Sequence, residues 1–316
     1  MVDRTYERLA LGSAIVTFVL IVVGAITRVS QSGMGCGTSW PLCNGQFGDF
    51  TSTAAIIEQL HRFIALPIGG FAAALFIWAW IKHRHEPRLF IPAVLGVALY
   101  FLQAFLGMIT VVLSNAWFTV LLHLCNSMLL LAAFIVAYLN SRQPELAEQH
   151  DSQIRFSEAI LAAILALGVA MVGAAVAGNN ATKACVSYPL CYGEVWPVDQ
   201  GPLQTLNMAH RLIAGSLGIF ILVMLFQARN ANRLVRNTLY AALGLYILQA
   251  AIGAAVVLVP VGGWLVFAQS LHVTFAAATW SAMIIVCGVV WLQQQSNKVK
   301  MSPREPLGAP SVTTSS

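Results

Sequence analysis

The stretch GMGCGTSWPLCNGQFGDFTSTAAIIEQLHR, residues 33–62, has a counterpart in KACVSYPLCYGEVWPVDQGPLQTLNMAHR, residues 183–211. Each runs from a loop with two cysteines and an aromatic-Pro-Leu-Cys turn into a segment that ends in His-Arg. Working outward, Gly24-Ala25 is answered by Gly173-Ala174, and Leu102-Gln103-Ala104 with Gly107 by Leu248-Gln249-Ala250 with Gly253. His61 and His123 are answered by His210 and His272, both at an offset of 149, so each half keeps its two histidines at a spacing of 62 residues. A match held at that many positions marks a duplication, and repeats of one orientation in a membrane are related by an axis along its normal.

Composition says which solvent the repeat is built for. Hydrophobic residues make up 58% of the 316-residue chain and charged residues 9%, against ~25% charged in ordinary soluble domains. So few charges cannot cover a water-facing surface, which points to lipid. Eight apolar stretches, about 9–28, 57–81, 89–113, 117–140, 157–178, 205–228, 237–259 and 264–292, approach or exceed the ~20 residues that cross a bilayer as helix. The first is too long, and too lightly marked for cleavage, to be a removable signal peptide. The expected fold is an all-α membrane protein of eight transmembrane helices in two pseudo-symmetric four-helix bundles, residues 1–145 and 146–295. A polar Ser/Thr/Pro-rich tail, 296–316, is expected to be disordered.

The net charge of +5 is a topology signal and not a nucleic-acid one. Thirteen basic residues fall at the N-terminus, in the loops 82–88, 141–156 and 229–236, and in the tail; only Arg28, Arg62, Lys183 and Arg211 lie toward the other side. The positive-inside rule then puts both termini in the cytoplasm. The long loops 29–56 and 179–204 lie outside, and loops of that length are more often functional than idle.

His61, His123, His210 and His272 fall on the second, fourth, sixth and eighth spans, each a few residues below the outer end. An ionisable group in hydrocarbon costs about 2–3 kcal/mol or more and tends to mark function. Four at matched depth are explained by ligation. Two imidazoles per bundle, with no thiolate or carboxylate cage, form an axial pair for haem iron. No Cys-x-x-Cys-His occurs, so the haem is non-covalent. Arg62 and Arg211 either meet haem propionates or anchor helix ends. His83, His85 and His150 lie in cytoplasmic loops and are expected to be solvated. Gln103 with Gly107, and Gln249 with Gly253, share a helix face; a close helix contact with an amide hydrogen bond suits them better than ligand contact.

Cys36–Cys43 and Cys185–Cys191 are expected to pair within their own outer loops, because that compartment is oxidising in a bacterium and each loop offers only two ligands and no histidine to a metal. The first pair is either structural or redox-active. Cys125 and Cys287 lie inside spans as small apolar residues. Glu58 breaks the symmetry: it precedes His61 by one helical turn, while Asn207 holds the matching place. A carboxylate at a helix start is favoured by the dipole by under ~1 kcal/mol, which accounts for its tolerance but not for its half. Glu58 is therefore the candidate base or proton relay.

As a set, the loops GMGCGTSWPLC and KACVSYPLC, the two His-Arg dipeptides and the two later histidines resemble the haem A synthase family over about 9–292. The resemblance implies an inner-membrane oxidoreductase that converts the C8 methyl group of haem O to the formyl group of haem A by successive hydroxylations with loss of water. It implies that His61 and His123 flank the substrate haem, with Arg62 beside them, and that His210 and His272 ligate a resident haem b. It also implies a supply of haem O and delivery of haem A to a cytochrome oxidase. Docking on a haem O synthase (protohaem farnesyltransferase) or on the oxidase, self-association and the electron donor stay open. A bis-haem b-type, quinol-linked electron carrier shares the four histidines, and a haem transporter is a third reading.

Overall fold

The computed structural model describes residues 3–48, 50–147, 154–258 and 263–301. Eight helices are long and apolar enough to cross a membrane: α1 (Arg4–Val29), α2 (Thr53–His83), α3 (Pro87–Val112), α4 (Trp117–Ser141), α6 (Phe156–Gly178), α7 (Pro202–Gln227), α8 (Arg233–Leu258) and α9 (Gly263–Met301). A short helix, α5 (Gln143–Ala147), follows α4. Among the described residues the only β pairing is two isolated bridges, Cys43 with Gln46 and Cys191 with Glu194.

Most helices begin before their apolar runs because local chemistry starts them. The Asp3 carboxylate accepts from the N–H groups of Thr5 and Tyr6, and Ser52 accepts from Ala55, which satisfies donors a helix start leaves orphaned. Pro87 and Pro202 occupy first-turn positions where no N–H is needed. At the other end of the chain the expectation of disorder from 296 is corrected. The run QQQSNKVKM continues α9 to Met301, since Gln, Lys and Met are good helix formers and a helix leaving the bilayer needs no apolar face. Residues 302–316 lie outside the described residues.

The first four long helices pack α1 on α2, α2 on α3, α3 on α4 and α4 on α1; α6, α7, α8 and α9 repeat that order. The groups meet where α1 and α4 contact α9 and where α4 contacts α6. Burial follows: α4 and α9 are the most enclosed spans, while α2, α3, α7 and α8 turn most of their surface outward. Met128, Leu131 and Phe134 of α4 and Met283 and Val286 of α9 belong to one continuous core. The indole N–H of Trp280 donates to the Met128 carbonyl at 3.2 Å, tying α9 to α4. The outer surface is apolar, with Leu66, Ile77, Phe101, Ile164, Ile219 and Phe226 more than half exposed, as lipid requires.

At the end where α1 begins, His83 is not solvated as expected. Its Nε2 is 2.8 Å from Asp3 Oδ2 and its Nδ1 2.8 Å from Glu86 Oε1, and the Trp78 indole N–H donates to the same Asp3 oxygen at 2.8 Å. Two carboxylates within reach hold an imidazole more firmly than water does. His85 accepts from Arg84 on the surface, and His150 lies outside the described residues.

Candidate haem sites

All four histidines lie within the first ten residues of α2, α4, α7 and α9, about 9 to 14 Å along the helix axis. The structure pairs them within halves. The His61 and His123 ring centres are 6.5 Å apart and those of His210 and His272 6.4 Å. Two imidazoles bonded to one metal at about 2.0–2.1 Å, each ring centre about 1.1 Å behind its nitrogen, stand roughly 6.3 Å apart. Both pairs therefore fit axial ligation of one iron.

Each ring is seated in a glycine notch on a neighbouring helix. A Cβ at Gly24 would stand 3.0 Å from His61 Cε1, at Gly107 3.2 Å from His123 Cε1, at Gly173 2.9 Å from His210 Cε1 and at Gly253 2.9 Å from His272 Cε1. These are the glycines that set the repeat register, and they let backbone approach ring where any other residue would push it away. Nδ1 of His61 and of His123 is buried without a hydrogen-bond partner, a state that burial penalises. The His272 Nδ1 lies 2.9 Å from the Gln249 carbonyl oxygen. A carbonyl only accepts, so the proton is on Nδ1 and Nε2 carries the lone pair, the usual arrangement of a metal-ligating histidine. The buried imidazoles, their spacing and their notches suit a haem in each pair. Among the described residues no cluster of three or more His, Cys, Asp or Glu could hold a bare metal ion.

The outer loops are fastened to the turn that carries each first histidine. Disulfides Cys36–Cys43 and Cys185–Cys191 close them, with Cα atoms 4.5 and 5.0 Å apart, as expected. Arg62 donates to the carbonyls of Pro41 and Leu42 at 3.1 and 2.9 Å. Arg211 donates to Cys185, Ser187, Pro189 and Leu190 carbonyls at 2.7–3.3 Å and lies 5.4 Å from the Tyr188 ring centre. Loop clamping is a role for these arginines that neither propionate binding nor helix anchoring describes; the Nε–H of each makes no hydrogen bond among the described residues.

Glu58 is 3% exposed. Its Oε2 accepts from the Cys36 N–H at 2.8 Å and its Oε1 from Arg62 Nη2 at 2.5 Å. Asn207 does the converse, its Nδ2 donating to the Ala181 carbonyl at 2.7 Å. Both positions tie loop to helix, which explains why both are polar; only the first is an anion, and it is paired with Arg62.

Asn126 was not singled out by sequence. It lies one turn beyond His123, on the same face, and that spacing is the signal that marks it. Its Nδ2 donates to the Leu99 carbonyl at 2.9 Å and to Gln103 Oε1 at 2.6 Å, while Gln103 Nε2 stands 3.1 Å from His123 Nε2. Gln103 thus makes the amide contact between helices that was expected of it, and its partner is a histidine.

The profile of the cytochrome oxidase assembly protein family matches residues 7–49 and 47–284. A heme A synthase of Exiguobacterium sp. is 32% identical over 275 residues, covering 84% of this chain and 88% of that protein. One from Bacillus licheniformis is 30% identical, covering 81% and 87%. One from Alkalihalophilus pseudofirmus is 29% identical, covering 89% and 98%.

Proposed function

This chain belongs to the cytochrome oxidase assembly protein family, and from that premise we propose that it is a haem A synthase, oxidising the C8 methyl group of haem O to the formyl group of haem A. The observation that carries the reading is the two matched histidine pairs, 6.5 and 6.4 Å between ring centres, in a chain that sets a carboxylate, Glu58, beside only the first of them. Haem O is assigned to His61 and His123 and a resident haem b to His210 and His272. Both termini are assigned to the cytoplasm, the bundles to one half each, and the product to a cytochrome oxidase.

Haem, when bound, supplies the redox chemistry; the chain supplies position, exclusion of water and proton handling. His61 and His123, held from behind by Gly24 and Gly107, fix the substrate between α2 and α4. The disulfide-closed loop, clamped by Arg62, covers the outer end. Oxidation of a methyl group releases protons, and Glu58 is the carboxylate one turn from His61 placed to accept them. A carboxylate accepts up to four hydrogen bonds and Glu58 uses two, so lone pairs remain for that task. The Nε–H of Arg62 and of Arg211 is available to a propionate.

The test is to supply haem O and a reductant to the purified protein in air, extract the pigments and weigh them. Haem A, with or without a hydroxylated intermediate, is expected. Recovery of haem O unchanged alongside two tightly held haems b would instead describe an electron carrier.

A further inference from the structure

We propose that Gln103 and Asn126 are positioning residues that hold back His123 as an iron ligand, making the first histidine pair the exchangeable one. This rests on the assignment of haem O to the first half.

The polarity of the network fixes where its protons are. The Leu99 carbonyl can only accept, so the Asn126 group facing it at 2.9 Å is the amide nitrogen. That same Nδ2 donates to Gln103 Oε1 at 2.6 Å, which leaves Gln103 Nε2 toward His123 Nε2 at 3.1 Å. An amide nitrogen only donates. The His123 Nε2 lone pair, the one an iron would take, is therefore already accepting a hydrogen bond, inside a network where Gln103 is 9% and Asn126 4% exposed.

The second half is wired differently from the same materials. Gln103 is answered by Gln249, but Asn126 by Phe275, which cannot orient an amide. There the backbone carbonyl of Gln249, not its side chain, meets the histidine, at Nδ1. Among the described residues nothing hydrogen-bonds His272 Nε2. A hydrogen bond donated by Nδ1–H to an acceptor behind the ring raises the basicity of a ligating imidazole; His123 Nδ1 makes no such bond. Both differences point the same way. The second pair is prepared to keep its haem, and the first must break a buried amide bond to bind one. A neutral hydrogen bond of this kind corresponds to roughly a two- to tenfold change in affinity. A substrate site has to release its product, and a resident site does not.

The experiment uses the full-length protein holding its second-half haem, with haem O as the probe and an excess of an apo-globin as acceptor. Release from the first half is followed together with the low-spin bis-imidazole signature. Gln103→Leu and Asn126→Leu free the His123 lone pair and are expected to slow release about two- to tenfold and to raise the low-spin fraction. Gln103→Glu places an acceptor against Nε2, draws the proton onto that nitrogen and is expected to lose the signature. Retention of the second-half haem reports that each variant is folded. Faster or unchanged release from Gln103→Leu, or a weaker low-spin signal, overturns the proposal. A wild-type protein that takes up no haem O in its first half overturns the site assignment, and the proposal with it.

Discussion

At the scale of single residues, contacts that leave little room carry the most consequence. A Cβ at Gly173 or Gly253 would lie 2.9 Å from the Cε1 of His210 or His272, so Gly173→Ala and Gly253→Ala must displace a ring. Displacing what supports a ligating histidine typically costs 10–100-fold in metal affinity, and the haem-to-protein ratio of the purified variants is expected to fall accordingly. Gly168→Ala, on the same helix as Gly173 with nothing within 4 Å of its Cβ, is expected to keep the full ratio. Glu58 poses a sharper question, since its carboxylate is both loop tie and the candidate proton acceptor. Glu58→Gln keeps the side-chain volume and an oxygen to accept from Cys36, and removes the charge. Conversion of haem O is expected to drop by a factor of about 10²–10⁴, the usual reach of general acid–base catalysis, with second-half haem retained. Haem A formed at the wild-type rate would leave Glu58 a loop tie alone.

At the scale of elements, the start of α1 is held by charge. Asp3 caps its own helix and receives hydrogen bonds from Trp78 and His83 at the end of α2. Burial works against its charged form, but these bonds and the N–H groups of Tyr6 and Thr5 outweigh that and hold its carboxyl below the ordinary 3.8. The His83 hydrogen bond likewise lowers Glu86. An acid depressed in the folded state adds stability that is complete above its unfolded value and is lost as pH falls through the folded one. As pH falls below the ordinary carboxyl value of 3.8, the unfolding midpoint of the wild-type protein is therefore expected to fall more steeply than that of Asp3→Asn; parallel curves there would contradict the clasp. Sequence reading located all eight spans, both disulfides and all four histidines, because hydropathy and a repeat of nearly constant offset are carried by residue identity alone. It missed this clasp, since Asp3 and His83 are 80 residues apart and nothing periodic joins them. It missed the arginine clamps for a related reason: their partners are backbone carbonyls, which every residue has and no pattern distinguishes. Asn126 and the glycine notches stood in view, but their meaning depends on which side chain arrives from the next helix.

At the scale of the whole molecule, one packing scheme is used twice, with different residues at corresponding places. The repeated order of helix neighbours gives each half its own histidine pair, and contacts of α1, α4, α6 and α9 join the halves through one core. With thirteen basic residues on one side, reporter fusions in 82–88 and 179–204 are expected to report inside and outside respectively; the same side for both would contradict the orientation. Among the unequal positions are Glu58 against Asn207 and Asn126 against Phe275, and both distinguish the first half from the second. The most direct measurement is the haem b content of four purified variants, His61→Ala, His123→Ala, His210→Ala and His272→Ala, alongside their yield of haem A from haem O. The account predicts that His210→Ala and His272→Ala lose haem b, whereas His61→Ala and His123→Ala keep it and make no haem A. Equal loss of haem b from all four would contradict it and describe two equivalent haem sites.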